Sequence, residues 1–250
     1  MYPKLFHETF MEGSPRNELF VCMPFHKSLD KKFETMKNAL DDAVKNKNIL
    51  PELKIKRVDT NQISNDQTHE IFDGILNSRL VLFDLSDDPE TSNTNINVMH
   101  ELGFATSVRA PQSIILIRDE FSKSKSPFNI ANLPYISHKN PLEKDWFGKL
   151  LIKSLENNKI YNDRIIKNAA RSIDEVGFEL MREYGIKGEG KDNFGFINCS
   201  PQQKLAIFRL MDLHILWFAV EPHGGPGLFW YSCHWTTFGR EVMRYLKVIS

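Results

Sequence analysis

At 250 residues the chain is long for one compact domain and short for two large ones, and its apolar content allows a substantial core. Its 32 lysines and arginines balance its 32 aspartates and glutamates, which argues against a broad polyanion-binding surface while leaving room for a local basic patch. The three cysteines, Cys22, Cys199 and Cys233, lie far apart with no C-x-x-C pair, so no metal site is expected and a reducing compartment fits.

The opening M-Y-P-K-L-F-H-E-T-F has no long apolar stretch and does not read as a secretory signal. Residues 18–23 (E-L-F-V-C-M) form a short apolar run stopped by Pro24, the pattern of a buried strand. Leu29, Phe33, Met36, Leu40 and Val44 then recur at steps of three and four, one face of an amphipathic helix with Ser28 as its N-cap. Residues 53–58 read as a second strand, and Ile71, Phe72, Ile75 and Leu76 mark a second helix. Residues 80–85 (L-V-L-F-D-L) are a third strand, apolar until Asp84. A polar loop, 86–95, precedes a helical run through Val98, Leu102 and Ala105 that Pro111 ends. Residues 113–117 (S-I-I-L-I) are a fourth strand, and 134–137 a candidate fifth.

After about Asn140 the character changes. Residues 163–184 look helical, and 185–195 are rich in glycine and charge. Ser200-Pro201 opens a helix expected to run to about Val220. That run is the most apolar in the chain, but Arg209, Asp212 and His214 break it, so it is too short and too polar to span a bilayer. P-H-G-G-P-G at 222–227 is a turn, 228–233 a strand and 236–246 a last helix. Residues 1–145 are therefore expected to form one α/β domain, and 146–250 a small, mainly helical, winged-helix-like module. The whole is read as cytoplasmic, with no membrane contact.

Uniformly apolar strands alternating with helices imply a flavodoxin- or Rossmann-like parallel sheet with helices on both faces. Such sheets bind ligands beyond the strand carboxyl ends, where strand order reverses. That directs attention to the loops at 24–27, 59–65 and 84–97. None carries G-x-G-x-x-G or a Walker sequence, so an ordinary dehydrogenase or P-loop enzyme is disfavoured.

Three segments stand together: F-V-C-M-P-F at 20–25, S-R-L-V-L-F-D-L at 78–85 and N-V-M-H-E-L-G-F-A at 97–105, with R-x-D as Arg57 to Asp59 and S-P-F-N-I at 126–130. In order and spacing, over about residues 18–138, the chain resembles the nucleoside 2-deoxyribosyltransferase-like superfamily, which is related in structure to TIR domains. The resemblance implies that Glu101 attacks, or stabilises charge at, the anomeric carbon of a ribosyl or deoxyribosyl group. It also implies a site shared between subunits, hence a homo-oligomer, and no cofactor. The usual alanine before the third-strand aspartate is Phe83 here, and the loop at 87–95 is longer than the common short turn.

The chemistry is sensible on its own terms. Breaking an N-glycosidic bond builds positive charge on the sugar, which a carboxylate beside C1′ stabilises or captures. Glu101 is expected in the first turn of its helix, where the dipole would keep it ionised; otherwise it is one more dipole-complementing glutamate. Asp84 is either a second catalytic carboxylate or a cap for the following loop, and Asp59 has the same two readings. Arg57 either grips a phosphate or forms a surface ion pair. Met23, Pro24 and Phe25 would shape the loop over the ligand, with Phe25 stacking on a ring or packing in the core. Asn97, one turn before Glu101, faces the pocket or caps the helix. His100 is read as a plain surface histidine and Gly103 as permitting close helix–sheet approach. Trp217, Trp230, Trp235 and Phe229 are either a base-stacking platform or the small module's core.

The leading expectation is therefore cleavage or transfer at the N-glycosidic bond of a nucleotide, NAD or a relative, by analogy as a bacterial antiphage or stress effector. The alternatives are a non-catalytic nucleotide-sensing module signalling through its C-terminal region to a protein or nucleic acid, and a scaffold with a vestigial pocket.

Overall fold

A computed structural model describes residues 16–46, 53–58, 64–124, 133–185, 193–222 and 229–249. The chain divides into two compact units, Met1–Lys159 and Ile160–Ser250, so the boundary falls inside a helix about fourteen residues beyond the expected one. The first unit runs β1 (Arg16–Cys22), α1 (Lys27–Lys45), β2 (Lys54–Lys56), α2 (Ser64–Asn77), β3 (Ser78–Asp84), α3 (Ile96–Val108), β4 (Ile114–Asp119), β5 (Ile136–His138) and the start of α4 (Lys144–Arg171). Every paired strand is parallel, and the order is β2-β1-β3-β4-β5. This is the flavodoxin-like doubly wound order, with its reversal point between β1 and β3.

Side chains of a strand alternate between the two faces of its sheet, and both faces here are apolar. Leu19, Val21, Leu80, Leu82, Ile115 and Ile117 pack with Met36 and Leu40 of α1 and Phe147 and Leu151 of α4. Phe20, Cys22, Val81, Phe83 and Leu116 pack with Ile75 and Leu76 of α2 and Val98, Leu102 and Ala105 of α3. Each large apolar side chain so buried contributes about 1.5–3 kcal/mol, which makes these two layers the main source of the unit's stability. Phe83, where alanine was the pattern, is fully buried under α2 and α3.

α1 starts one or two residues earlier than expected. His26, not Ser28, is its N-cap, and its Nδ1 accepts the Ser28 amide at 3.2 Å. Close helix–sheet approach rests on Gly74 rather than Gly103. A Cβ on Gly103 would meet nothing within 4 Å, whereas one on Gly74 would stand 2.3 Å from the edge of the Phe20 ring. That ring is fully buried in the core, so making room for the Cβ means shifting its neighbours. Gly74→Ala should therefore destabilise the first unit by about 1–2 kcal/mol in urea denaturation, the overpacking cost of roughly 1–3 kcal/mol being partly offset by alanine's helix propensity. Adding Phe20→Leu should recover part of the loss.

The second unit carries the end of α4, α5 (Glu175–Tyr184), β6 (Asn193–Gly195), α6 (Pro201–Asp212), β7 (Leu216–Pro222), β8 (Phe229–Trp235) and α7 (Thr237–Tyr245). It combines these helices with a three-stranded antiparallel sheet in the order β6-β8-β7. The helix expected to reach Val220 stops at Asp212, although Ser200 and Gln203 do form a capping box at its start. His214 takes a positive φ of 57°, and the apolar run that follows becomes β7, paired along its length with β8. Residues L-W-F-A-V suit a pleated surface at least as well as a helix, and the pairing decides between them. The core gathers Leu180, Met181, Ile207, Leu210, Ile215 and Cys233. Trp235 is part of that core, whereas Trp217 is more than a third exposed and stacks on His234. The side chains of Phe229 and Trp230 lie outside the described residues. Among the described residues no helix is long and apolar enough to cross a membrane.

Candidate functional site

β1 and β3 are adjacent parallel strands, so the loops leaving their carboxyl ends stand side by side at the reversal point. The first loop, 23–26, is stopped short by Pro24 and handed to α1 by His26. The second, 85–95, folds on itself: the Asp88 carboxylate accepts the Glu90 amide at 2.9 Å, and the Asp88 amide donates to the Asn93 carbonyl at 2.7 Å. Asn95 joins this loop to α3. Its Oδ1 caps the helix by accepting the Asn97 and Val98 amides, while its Nδ2 donates to Asp88 at 2.9 Å.

Between the two loops lies a cleft of about 210 Å³. Met23, Pro24, Phe25 and His26 line one side, and Asp88, Glu90, Asn95, Asn97, Val98 and Glu101 the other. Five residues singled out from the sequence, Met23, Pro24, Phe25, Asn97 and Glu101, thus meet at one place. Phe25 is 46% exposed, so it forms a lip rather than a piece of core. His100 faces solvent, as its position beside Glu101 on the helix requires.

Glu101 is not in the first turn. It is the sixth residue of α3 and falls on the stripe of Val98, Leu102 and Ala105 that faces the sheet. The dipole therefore does little for it, and only 8% of the residue is exposed. Burial raises its carboxyl to about 7, against a smaller downward pull from a hydrogen bond with the Cys22 thiol. The expectation of a carboxylate kept ionised by the helix end is replaced by one poised between its two forms near neutrality.

Asp88 behaves in the opposite way. Burial alone would raise it, but hydrogen bonds from the Asn95 side chain and from the Glu90 and Thr91 amides hold its carboxyl below the ordinary range. One cleft wall thus carries a carboxylate that stays charged and another that exchanges a proton near pH 7. Environments that push two such groups apart are how a site separates an acid from a base. His26 offers its Nε2 to Glu90 at 3.4 Å, and this tautomer follows from Nδ1 accepting the Ser28 amide. No lysine or arginine lines the cleft among the described residues.

No protein-family model matches this chain, and no curated protein matches it.

Two expected residues stand elsewhere. Asp84 is 1% exposed and points to the other face of the sheet, as Leu80 and Leu82 do. There its Oδ2 lies 2.5 Å from Lys32 Nζ, and its Oδ1 accepts the Ser86 hydroxyl at 2.6 Å. Burial would raise its carboxyl, but Lys32 and Ser86 together hold it below the usual value. Arg57 spends its guanidinium on Asp30 at 2.9 Å and on the Phe33 ring, 4.6 Å away, so it follows its surface-pair reading. Asp59 lies outside the described residues.

Sequence reasoning passed over His26, Asp88, Glu90 and Asn95. A usable signal was present for two of them. Asp88 and Asn95 bracket a loop too long for a simple turn, and both are residue types that bind loop amides through their side chains.

Proposed function

We propose that the first unit cleaves or transfers at the N-glycosidic bond of a nucleotide or nucleoside, with Glu101 as the reacting carboxylate. The observation that carries this reading is a near-buried carboxyl, poised near neutral pH, at the reversal point of a doubly wound sheet and open to a cleft. The sequence resemblance to the deoxyribosyltransferase-like superfamily, in which this helix glutamate reacts, supports it. Ionised Glu101 would capture or stabilise the anomeric carbon as the base departs, and the permanently charged Asp88 would oppose the cation that develops on the ring. Asn97 and Asn95 offer amide hydrogen bonds to sugar hydroxyls, and Phe25 offers a ring face at the lip.

The cleft is smaller than the roughly 300–1,000 Å³ of ordinary ligand pockets. It suits the sugar and part of the base. Its walls are acidic, which repels phosphate, so any phosphates of a nucleotide such as NAD would lie outside it, against the remaining loop or a second copy of the chain. A homo-oligomer belongs to this proposal for that reason. The role of the second unit would be to regulate assembly or relay occupancy.

Incubating the purified chain with NAD, ATP and deoxynucleosides, and separating free base by chromatography, tests the reading. Base should appear with at least one of them, and Glu101→Gln should cut the rate about 100-fold or more with the fold intact. Saturable nucleotide binding without turnover would make the site a sensor. Neither binding nor turnover across the panel would overturn the proposal.

A further inference from the structure

A sheet ends in strands whose outer amides and carbonyls have no neighbouring strand, and proteins blunt such edges by keeping them short or charged. Among the described residues, three of the four edge strands follow that rule: β5 and β6 are three residues long, and β2 is three residues with a lysine at each end. β7 does not. It is seven residues, L-W-F-A-V-E-P, uncharged from Leu216 to Val220, and its register with β8 runs without a bulge. The Thr236 amide donates to the Ile215 carbonyl, and the Phe196 amide to the Tyr231 carbonyl, at 3.0 Å each. Alternation along an antiparallel pair then commits the main-chain groups of Trp217 and Ala219 to β8 and turns those of Leu216, Phe218 and Val220 outward. No hydrogen bond joins the main-chain groups of these three to any described residue. The apolar surface beside this edge is open: Val220 and, on α6, Leu205 and Phe208 are each more than half exposed. Phe208, Phe196, Phe218 and Tyr231 form a chain of ring contacts with centroids 5.1–5.7 Å apart.

We propose that β7 pairs antiparallel with β7 of a second copy of this chain, about a two-fold axis at Phe218, so that the two sheets become one. Leu216 then stands opposite Val220 of the copy and Phe218 opposite Phe218, and each such pair exchanges two main-chain hydrogen bonds. The outward groups are symmetric about Phe218, so the edge is its own complement, as a two-fold interface requires. The side chains agree with this register. Trp217 comes opposite the small Ala219 of the copy, and Glu221 falls opposite Ile215 of the copy, beside its His214, so no like charges are brought together. Because opposed residues lie on one face, the two aromatic clusters and the Leu205–Phe208 flank of each α6 come to the same side of the joined sheet. An extended peptide of another protein would satisfy the same main-chain groups, but the symmetric free groups and the match of Trp217 to Ala219 favour the copy. This interface gives the homo-oligomer proposed above its contact in the second unit, and it is independent of any chemistry at Glu101.

Sedimentation velocity of the full chain over about 1 to 100 μM should show a monomer–dimer equilibrium. Val220→Pro removes an outward donor but no bond to β8, a change that edge strands accept, and should raise the dimer dissociation constant at least about tenfold. Val220→Lys, at an exposed side chain, keeps every main-chain group, puts a charge on the edge and should act in the same direction. Circular dichroism checks that each variant folds, and if one does not, the other decides. Residue-resolved amide hydrogen exchange reads the pairing itself. The Phe218 amide should be protected at least about tenfold more where the dimer prevails than after dilution to monomer, while the Trp217 and Ala219 amides, bonded to β8, change little. A chain that stays monomeric at the highest concentration overturns the proposal and leaves the edge to a peptide of another protein. So does a dimer that the folded Val220 variants leave intact, or one in which Phe218 exchanges as fast as in the monomer. Base release, present or absent, moves none of these readings, so failure here and failure at Glu101 are told apart.

Discussion

Glu101→Gln should raise the stability of the first unit at pH 8 by about 3 kcal/mol and, on the proposed function, cut base release about 100-fold or more. A carboxyl lifted from its ordinary 4.5 to about 7 binds its proton more tightly in the folded chain than in the unfolded one. Its contribution to stability is therefore complete below about pH 4.5 and is lost as pH rises through 7, and at roughly 1.4 kcal/mol per unit the loss reaches about 3 kcal/mol. Glutamine carries no charge to desolvate and keeps the shape. Urea denaturation of wild type and variant across pH 4 to 9 should give curves that coincide at the acid end and separate steadily above pH 5. Curves that stay parallel over the whole range would mean that Glu101 is solvated like any surface glutamate. A stabilising substitution that removes activity is the usual mark of a group kept for chemistry at the expense of the fold.

The first unit was legible because its physics is local and repetitive. Strands buried on both faces read as unbroken apolar runs, and 80–85 allows no other interpretation once 98, 102 and 105 form a helical stripe behind it. Within the site the same periodicities held further information. Glu101 occupies a position in the Val98, Leu102, Ala105 stripe where an apolar residue belongs, and a carboxylate on an inward stripe is a raised-pKa group in waiting. Assigning it to the first helical turn misplaced the helix start by about two residues and with it the sign of the electrostatic argument. Asp84 was misplaced by parity. Ending an apolar strand at the crevice does not by itself put a side chain into the crevice, because residues 80, 82 and 84 share a face and α3 lies on the other. In the second unit the strands are short and antiparallel, and what separates helix from strand in 206–220 is the pairing of β7 with β8, whose register partners lie 7 to 19 residues apart, beyond what periodicity within 206–220 encodes.

Parity also gives the second large effect. Asp84 and Lys32 form an almost dry ion pair beneath the carboxyl end of β3, with Ser86 bridging: its hydroxyl donates to Asp84, and it accepts both Lys32 at 3.2 Å and the Asp119 amide at 2.8 Å. Lys32 arrives from α1, so the pair ties that helix to the sheet directly behind the cleft loops. Lys32→Met preserves the aliphatic stem but strands a buried carboxylate, and breaking a buried pair in this way costs about 3–5 kcal/mol. The expected pH dependence follows from the sign of the shift. In the wild type Asp84 is held below its ordinary value, so its contribution is present above about pH 3.8 and is lost only as pH falls through the still lower folded value. In Lys32→Met the larger opposing effect, burial, is left standing, and the carboxyl moves upward instead. The variant should then be least stable, relative to wild type, at neutral pH, and the gap should narrow as acid neutralises Asp84. Adding Asp84→Asn should return a good part of the loss at pH 7, because the stranded charge and not the missing attraction accounts for most of it. Were Asp84 a ligand-facing carboxylate open to solvent, Lys32→Met would cost under about 1 kcal/mol, as exposed pairs do, and the double variant would gain nothing over the single one.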